Sequence, residues 1–238
     1  MPASTARALP TPDAAPSTEL LLPEGFTLAA RRALVKADPK LGALMKQVGP
    51  FRMKVNSMQS PFLALAESIV YQQLTGKAAA TIFGRVCERV GTGKRFTPEA
   101  VLAHPVEGLR EAGLSGAKAA ALRDLATKAL EGEVPTLARA RRMSDAGLVE
   151  HLTKVRGIGQ WTVEMMLIFR LGRPDVLPVD DYGIRKGFML TYGLSELPRP
   201  KELLAYGERW RPWRTVASWY LWRSLDVPNT PSSGRAAK

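Results

Sequence analysis

Between Arg156 and Gln160 the chain reads Gly157-Ile158-Gly159, and further on Asp180 and Asp181 stand side by side in L-P-V-D-D-Y-G-I-R-K. Glycine lets backbone come close to a partner, and a turn feeding a helix N-terminus presents unpaired N–H groups. Those groups and the helix dipole favour a phosphate oxygen. Ile158 would plug such a turn from beneath. An ordinary glycine-rich helix corner has the same appearance, so the two glycines by themselves leave both readings open. The aspartates are similarly double. A carboxylate at a helix start commonly caps backbone N–H groups, whereas one fixed beside a reacting carbon stabilises positive charge or deprotonates water.

What must hold these groups is a helical scaffold. Apolar residues recur at three- and four-residue spacing and strand-like alternation is hard to find, so the core is expected to be all-α. Helices are predicted near 27–48, 61–73, 76–91, 106–112, 117–131, 144–154, 159–170, 180–192, 200–208 and 213–225. Short connections carry helix punctuation: Gly76, Thr97-Pro98-Glu99 and Ser144-Asp145 as starts, Gly113 and Gly132 as stops. The expected architecture is a two-lobed helical bundle with the active site in the cleft between lobes. One lobe is formed by 24–60 plus 171–227, the other by 61–170. Residues 1–23 and 228–238, rich in Ala, Pro and Ser without periodicity, are expected to be disordered tails.

Composition narrows the function. The 238 residues are 45% hydrophobic and 24% charged, enough to bury a sizeable core. With 34 Lys and Arg against 22 Asp and Glu the chain carries +12, which points to a polyanionic partner or a generally basic surface. The single cysteine, Cys87, cannot form an internal disulfide or ligate an iron–sulfur cluster, and with only His104 and His151 a zinc site is no better supplied. No run approaches the roughly 20 apolar residues that span a bilayer, and the start lacks a signal peptide's apolar block. A cytoplasmic, nucleoid-associated monomer with no membrane partner is the expectation.

The register L-T-K-V-R-G-I-G-Q-W-T, about 152–163, resembles the helix-hairpin-helix motif of DNA-binding and DNA-repair proteins. Followed by L-P-x-D-D-Y-x-I-[RK], it resembles the helix-hairpin-helix superfamily of DNA glycosylases, most closely the DNA-3-methyladenine glycosylase II branch. The segments E-R-W-R-P-W-R-T-V-A-S-W-Y-L-W and Q-Q-L-T-G-K fit that branch as well, so the resemblance spans roughly 60–225. It implies the compact form, without the N-terminal β-rich domain of some members.

The resemblance also implies roles. Asp181 matches the catalytic aspartate, while Asp180 looks like the helix-start cap. The implied reaction is hydrolysis of the N-glycosidic bond of alkylated purines in double-stranded DNA, whose oxocarbenium-like transition state a carboxylate stabilises. A cationic base leaves without a general acid. Strand-cleaving relatives carry a lysine where this chain has Trp161, so a monofunctional enzyme is implied. Trp161 and Trp222 match pocket positions, where rings attract a cationic base. Met165, one turn on, stands where some members have an aromatic ring, which leaves the substrate range open. Leu74, with Gln73 beside it, matches the residue that fills the stack when the nucleotide is extruded. Phosphate neighbours are expected at Gly157, Gly159, Thr162, Thr75, Lys77 and Arg156. No cofactor is implied beyond a structural Na+ or K+ on the carbonyls of Thr153, Val155 and Gly157. Two other readings stay open at this point: a non-catalytic DNA-binding protein using the same hairpin, or a glycosylase of this fold acting on other damaged bases.

Overall fold

Pro39 divides what the apolar spacing predicts as one helix over 27–48. Proline has no N–H and its ring crowds the preceding turn. Asp38 adopts φ −149° and ψ 94°, and its Oδ1 accepts the Leu41 N–H at 3.1 Å. The computed structural model, which describes residues 19–21, 24–91 and 96–227, therefore has α1 (Glu24–Ala37) and α2 (Pro39–Val48) here. The expected tails at 1–18, 22–23 and 228–238 lie outside the described residues. Within the N-terminal stretch the expectation of disorder is corrected at β1 (Glu19–Leu21), which pairs with β2 (Lys54–Asn56) and so satisfies backbone groups that a free tail would leave to water. These are the only strands among the described residues; the all-α expectation otherwise holds.

The chain divides into two compact units. Of the described residues, the first comprises 19–20 and 54–172. It contains α3 (Pro61–Tyr71), α4 (Gly76–Val90), α5 (Pro98–Ala103), α6 (Val106–Glu111), α7 (Gly116–Leu130), α8 (Leu137–Arg142), α9 (Asp145–Leu152) and α10 (Gln160–Phe169). Side-chain oxygens of Ser60, Thr97, Ser115, Thr136 and Ser144 cap α3, α5, α7, α8 and α9, each accepting an N–H three residues on. The short α5 and α8 are not among the predicted ranges; α8 is L-A-R-A-R-R, with little apolar period to read. At the centre of this unit α7 packs against α3 and α5, with Leu122, Leu125, Leu65 and Ile69 fully buried.

Of the described residues, the second unit comprises those within 21–53 and 173–227. Besides α1 and α2 it holds α11 (Tyr182–Tyr192), α12 (Pro200–Gly207), a 3-10 turn at Glu208–Trp210 and α13 (Arg214–Arg223). Its core is tied by Asp38. The buried carboxylate that caps α2 also accepts the Tyr192 hydroxyl at 2.6 Å and the Trp210 indole N–H at 2.9 Å. Three donors satisfy one buried acid, so it stays in the interior with no ionic partner among the described residues.

Candidate active site and nucleic-acid interface

The hairpin lies in the first unit. Helix α9 stops at Leu152, earlier than predicted, and the chain turns through 153–159 before α10. The turn is longer than its glycines suggest, because Val155 and Ile158 are both tucked under it, 1% and 4% exposed. The Val155 N–H donates to Leu152 O at 3.2 Å and the Ile158 N–H to Val155 O at 3.0 Å, closing two tight turns in succession. Gly157 has φ +78°, the left-handed region that L side chains avoid, and a Cβ there would stand 3.4 Å from Ala121 Cβ. Ile158 plugs the turn from beneath, as its position implies. Among the described residues the N–H groups of Gly157 and Gly159 have no acceptor, so the outer rim of the turn and the start of α10 are free to take phosphate oxygens.

Other expected contacts are redistributed. The Arg156 N–H is not part of that rim: it donates to Asp124 Oδ2 at 2.7 Å, leaving the exposed guanidinium as the group Arg156 can offer. Thr162 is only 8% exposed and its N–H is engaged by Gly159 O at 3.0 Å, so a phosphate role for it is corrected to an interior, helix-starting one. Of the carbonyls expected to hold a cation, Val155 O already accepts Ile158 N–H and Gly157 O accepts Gln72 Nε2 at 2.8 Å.

The segment between α3 and α4 is a raised loop. Gln73 is the one non-glycine residue with positive φ among those described, at +58°. That left-handed step costs a side-chain-bearing residue about 1 kcal/mol or more, and it turns Leu74 outward to 38% exposure. Thr75 and Lys77 follow at the start of α4, both exposed. On α10, Trp161 and Met165 are half-buried on one face, neither in the core nor free of it.

The carboxylate lies in the second unit. Here the structure corrects the expected cap: Asp181, not Asp180, is the N-cap of α11, its Oδ1 accepting the Ile184 N–H at 2.8 Å. Asp180 is exposed. The same Oδ1 accepts the Trp222 indole N–H at 2.9 Å. Trp222 is 2% exposed and so offers no open stacking face; it is corrected from a platform for the base to a buried donor that holds the acid. Gly183 makes room for this, since a Cβ there would lie 3.0 Å from both Asp181 Oδ1 and Trp222 Cδ1. Two neutral donors on one oxygen and the positive end of α11 keep the carboxylate fixed at the mouth of a helix.

A family model described as HhH-GPD superfamily base excision DNA repair protein matches residues 66–212, an interval that takes in the raised loop, the hairpin and Asp181. The chain belongs to this superfamily. Schizosaccharomyces pombe DNA-3-methyladenine glycosylase 1 is 39% identical over 203 residues, covering 84% of this chain and 89% of that one. The solved structure of the S. pombe 3-methyladenine DNA glycosylase in complex with abasic DNA has a TM-score of 0.71 at 36% identity, covering 84% of this chain and 98% of that one. A DNA-3-methyladenine glycosidase from Bacillus halodurans gives 0.73 at 35% identity over 82% of this chain and 88% of that one.

Within this HhH-GPD member, the residues that motif reading missed are those that hold others. Gln72 bonds the hairpin from 85 positions away, and Lys118 Nζ donates to Val70 O at 2.7 Å and Gln72 O at 2.6 Å. Burial pushes the Lys118 ammonium below its ordinary value. Asp124 and Gly183 act through Arg156 and Trp222. None of these has a local pattern that could announce it; only the tertiary fold brings the partners together.

Proposed function

We infer that this chain is a monofunctional DNA glycosylase that removes alkylated, positively charged purines from double-stranded DNA and leaves an abasic site for base excision repair. The observation that carries the reading is Asp181: one oxygen is pinned by the Ile184 and Trp222 N–H groups, in a chain closely similar to named 3-methyladenine glycosylases. Breaking the C1′–N bond sends the electron pair to the base, which departs neutral. The sugar becomes cationic, and a fixed carboxylate stabilises it without having to reorganise. Water then adds its oxygen to C1′, and its proton passes by way of Asp181 to solvent. No general acid is needed for a base that is already charged.

The remaining residues supply recognition. The rim amides of Gly157 and Gly159, with Thr75, Lys77 and Arg156, take the phosphates. A monovalent cation on the carbonyls of Thr153, Val155 and Gly157 belongs to the same reading, each carbonyl having a second lone pair to give. Leu74 fills the stack vacated by the extruded nucleotide, and Trp161 offers the ring face to the cationic base. Trp161 cannot form a Schiff base, so the strand is left uncut. The protein works as a monomer in the nucleoid compartment. The test is incubation of purified protein with methylated duplex DNA and chromatography of the released bases. Release of 3-methyladenine or 7-methylguanine is expected. DNA binding with no base release would favour a non-catalytic DNA-binding protein instead.

A further inference from the structure

Helix α7 carries a stripe of residues that reach the two loops that face DNA in the reading above, or the helix end directly before one of them. Lys118, Ala121 and Asp124 follow one another at three-residue spacing and so share a face. Lys118 holds the last carbonyls of α3, Val70 O and Gln72 O, directly before the raised loop. Ala121 is the floor against which Gly157 lies: a Cβ on Gly157 would stand 3.4 Å from Ala121 Cβ. Asp124 Oδ2 takes the Arg156 N–H at 2.7 Å, while its Oδ1 takes Lys128 Nζ at 3.2 Å. Lys128 thus offsets the negative charge that Asp124 brings near a phosphate-binding turn.

One bond joins the two loops directly. Gln72 is the C-cap of α3, with φ −54° and ψ 131°, and the left-handed Gln73 and exposed Leu74 follow it at once. Its amide Nε2 reaches Gly157 O at 2.8 Å, at the apex of the hairpin. Gln72 is therefore held at both ends: its backbone carbonyl by α7 and its side chain by the hairpin. Leu74 is two residues from this anchor, so its position relative to the phosphate-gripping turn is set by one side-chain amide and one half-buried ammonium.

We propose that Gln72 is a positioning residue which, braced by the Lys118–Ala121–Asp124 stripe of α7, fixes the distance between the hairpin and the Leu74 wedge so that gripping the phosphate places the wedge in the stack. The proposal rests on the assignment of Leu74 and the hairpin to DNA contact. A neutral amide suits the task. It donates to the Gly157 carbonyl without adding charge beside the phosphate, and it leaves the Gly157 N–H free for the ligand. Gln72→Met keeps length and volume but cannot donate; Gln72→Glu also lacks the donor and sets a carboxylate against the carbonyl.

The experiment uses the full chain and a duplex holding an abasic-site analogue next to 2-aminopurine, whose fluorescence rises when its neighbour stack is opened. Anisotropy on the same duplex and on undamaged DNA reads affinity separately, and thermal unfolding reads integrity. For Gln72→Met the expected result is affinity for undamaged duplex within about twofold of wild type, with the fluorescence rise slowed about 3- to 10-fold, the effect of one lost hydrogen bond. Gln72→Glu is expected to show the same split, more strongly. In a Leu74→Ala background the further change Gln72→Met is expected to have less than about a twofold effect, because the tie acts only through the wedge. Equal losses of affinity and opening, an unchanged opening rate, or full additivity with Leu74→Ala would each overturn the proposal. Because the analogue has no base to release, these outcomes stand apart from the glycosylase reading: a wild type that opens the stack but frees no methylated base defeats that reading and leaves the tie intact.

Discussion

Gly183→Ala separates the placement of Asp181 from the stability of its helix. The added Cβ would stand 3.0 Å from Asp181 Oδ1 and Trp222 Cδ1 and 3.2 Å from Trp222 Nε1, where ordinary contact begins at 3.4 Å. Either the carboxylate or the indole must therefore give by about 0.4 Å, and because Trp222 is buried the carboxylate is the freer of the two. A misplacement of about 1 Å typically costs about 10²-fold in rate, so about 0.4 Å corresponds to roughly a five- to tenfold loss. Stability responds less. Alanine is favoured over glycine in a helix by up to about 1 kcal/mol, and overpacking costs about 1–3 kcal/mol, leaving a net loss of at most about 2 kcal/mol. For a domain of this size that lowers Tm by no more than about 4–8 °C. Single-turnover base release at 25 °C, anisotropy on abasic DNA and a thermal melt are the assays. A rate within twofold of wild type in a folded protein would refute the idea that the close approach at Gly183 sets the carboxylate.

Asp181→Asn keeps an oxygen for the Ile184 and Trp222 donors and is expected to retain fold and DNA affinity while base release falls at least about 100-fold, the scale of a lost electrostatic stabiliser; Asp180→Asn is expected to stay within about threefold, and the opposite ranking would reverse the assignment. With Trp161 at the amine position, borohydride trapping is expected to yield no covalent protein–DNA adduct, and a trapped band would refute the monofunctional reading. Affinity for duplex is expected to fall with salt at a log–log slope of about −0.9 per phosphate neutralised, and Lys77→Ala to flatten that slope by about 1; a salt-independent affinity would remove the case for phosphate contact. Met165→Tyr, at a half-buried position, is expected to shift relative excision of ethenoadenine against 3-methyladenine by about 5- to 100-fold with little change in Tm; a large drop in Tm with unchanged relative rates would place Met165 in the core instead.

What could be read from the chain was local. Thr97 and Ser144 announce helix starts because a cap is chosen by residues three apart, and Gly157 announces its left-handed turn because little else fits there. The break at Pro39 was equally local, yet the apolar period running through it masked the cap at Asp38. The reach of Asp38 was not legible at all. Its partners Tyr192 and Trp210 are 154 and 172 residues away, and nothing in a lone aspartate before a proline distinguishes a core hub from an ordinary cap. Trp222 shows the same limit. A tryptophan has both a face and an N–H; the resemblance implies a role for the face, and only the fold shows that the ring is buried and that the N–H is given to Asp181.

The aspartate pair shows why capping and catalysis were wrongly divided between neighbours. A cap needs an oxygen held rigidly at a helix start, and stabilising a cation needs a carboxylate that does not move when the charge forms; both demands are met by the same placement. Asp181 caps α11 through Oδ1, which also takes the Trp222 N–H, so the constraint that begins the helix is the constraint that preorganises the acid. Asp180, exposed one residue earlier, has neither. With Asp181 as the proposed catalytic acid, the helix cap is part of the proposed active site: shortening or loosening the first turn of α11 is expected to reach the chemistry through the one oxygen that both functions share.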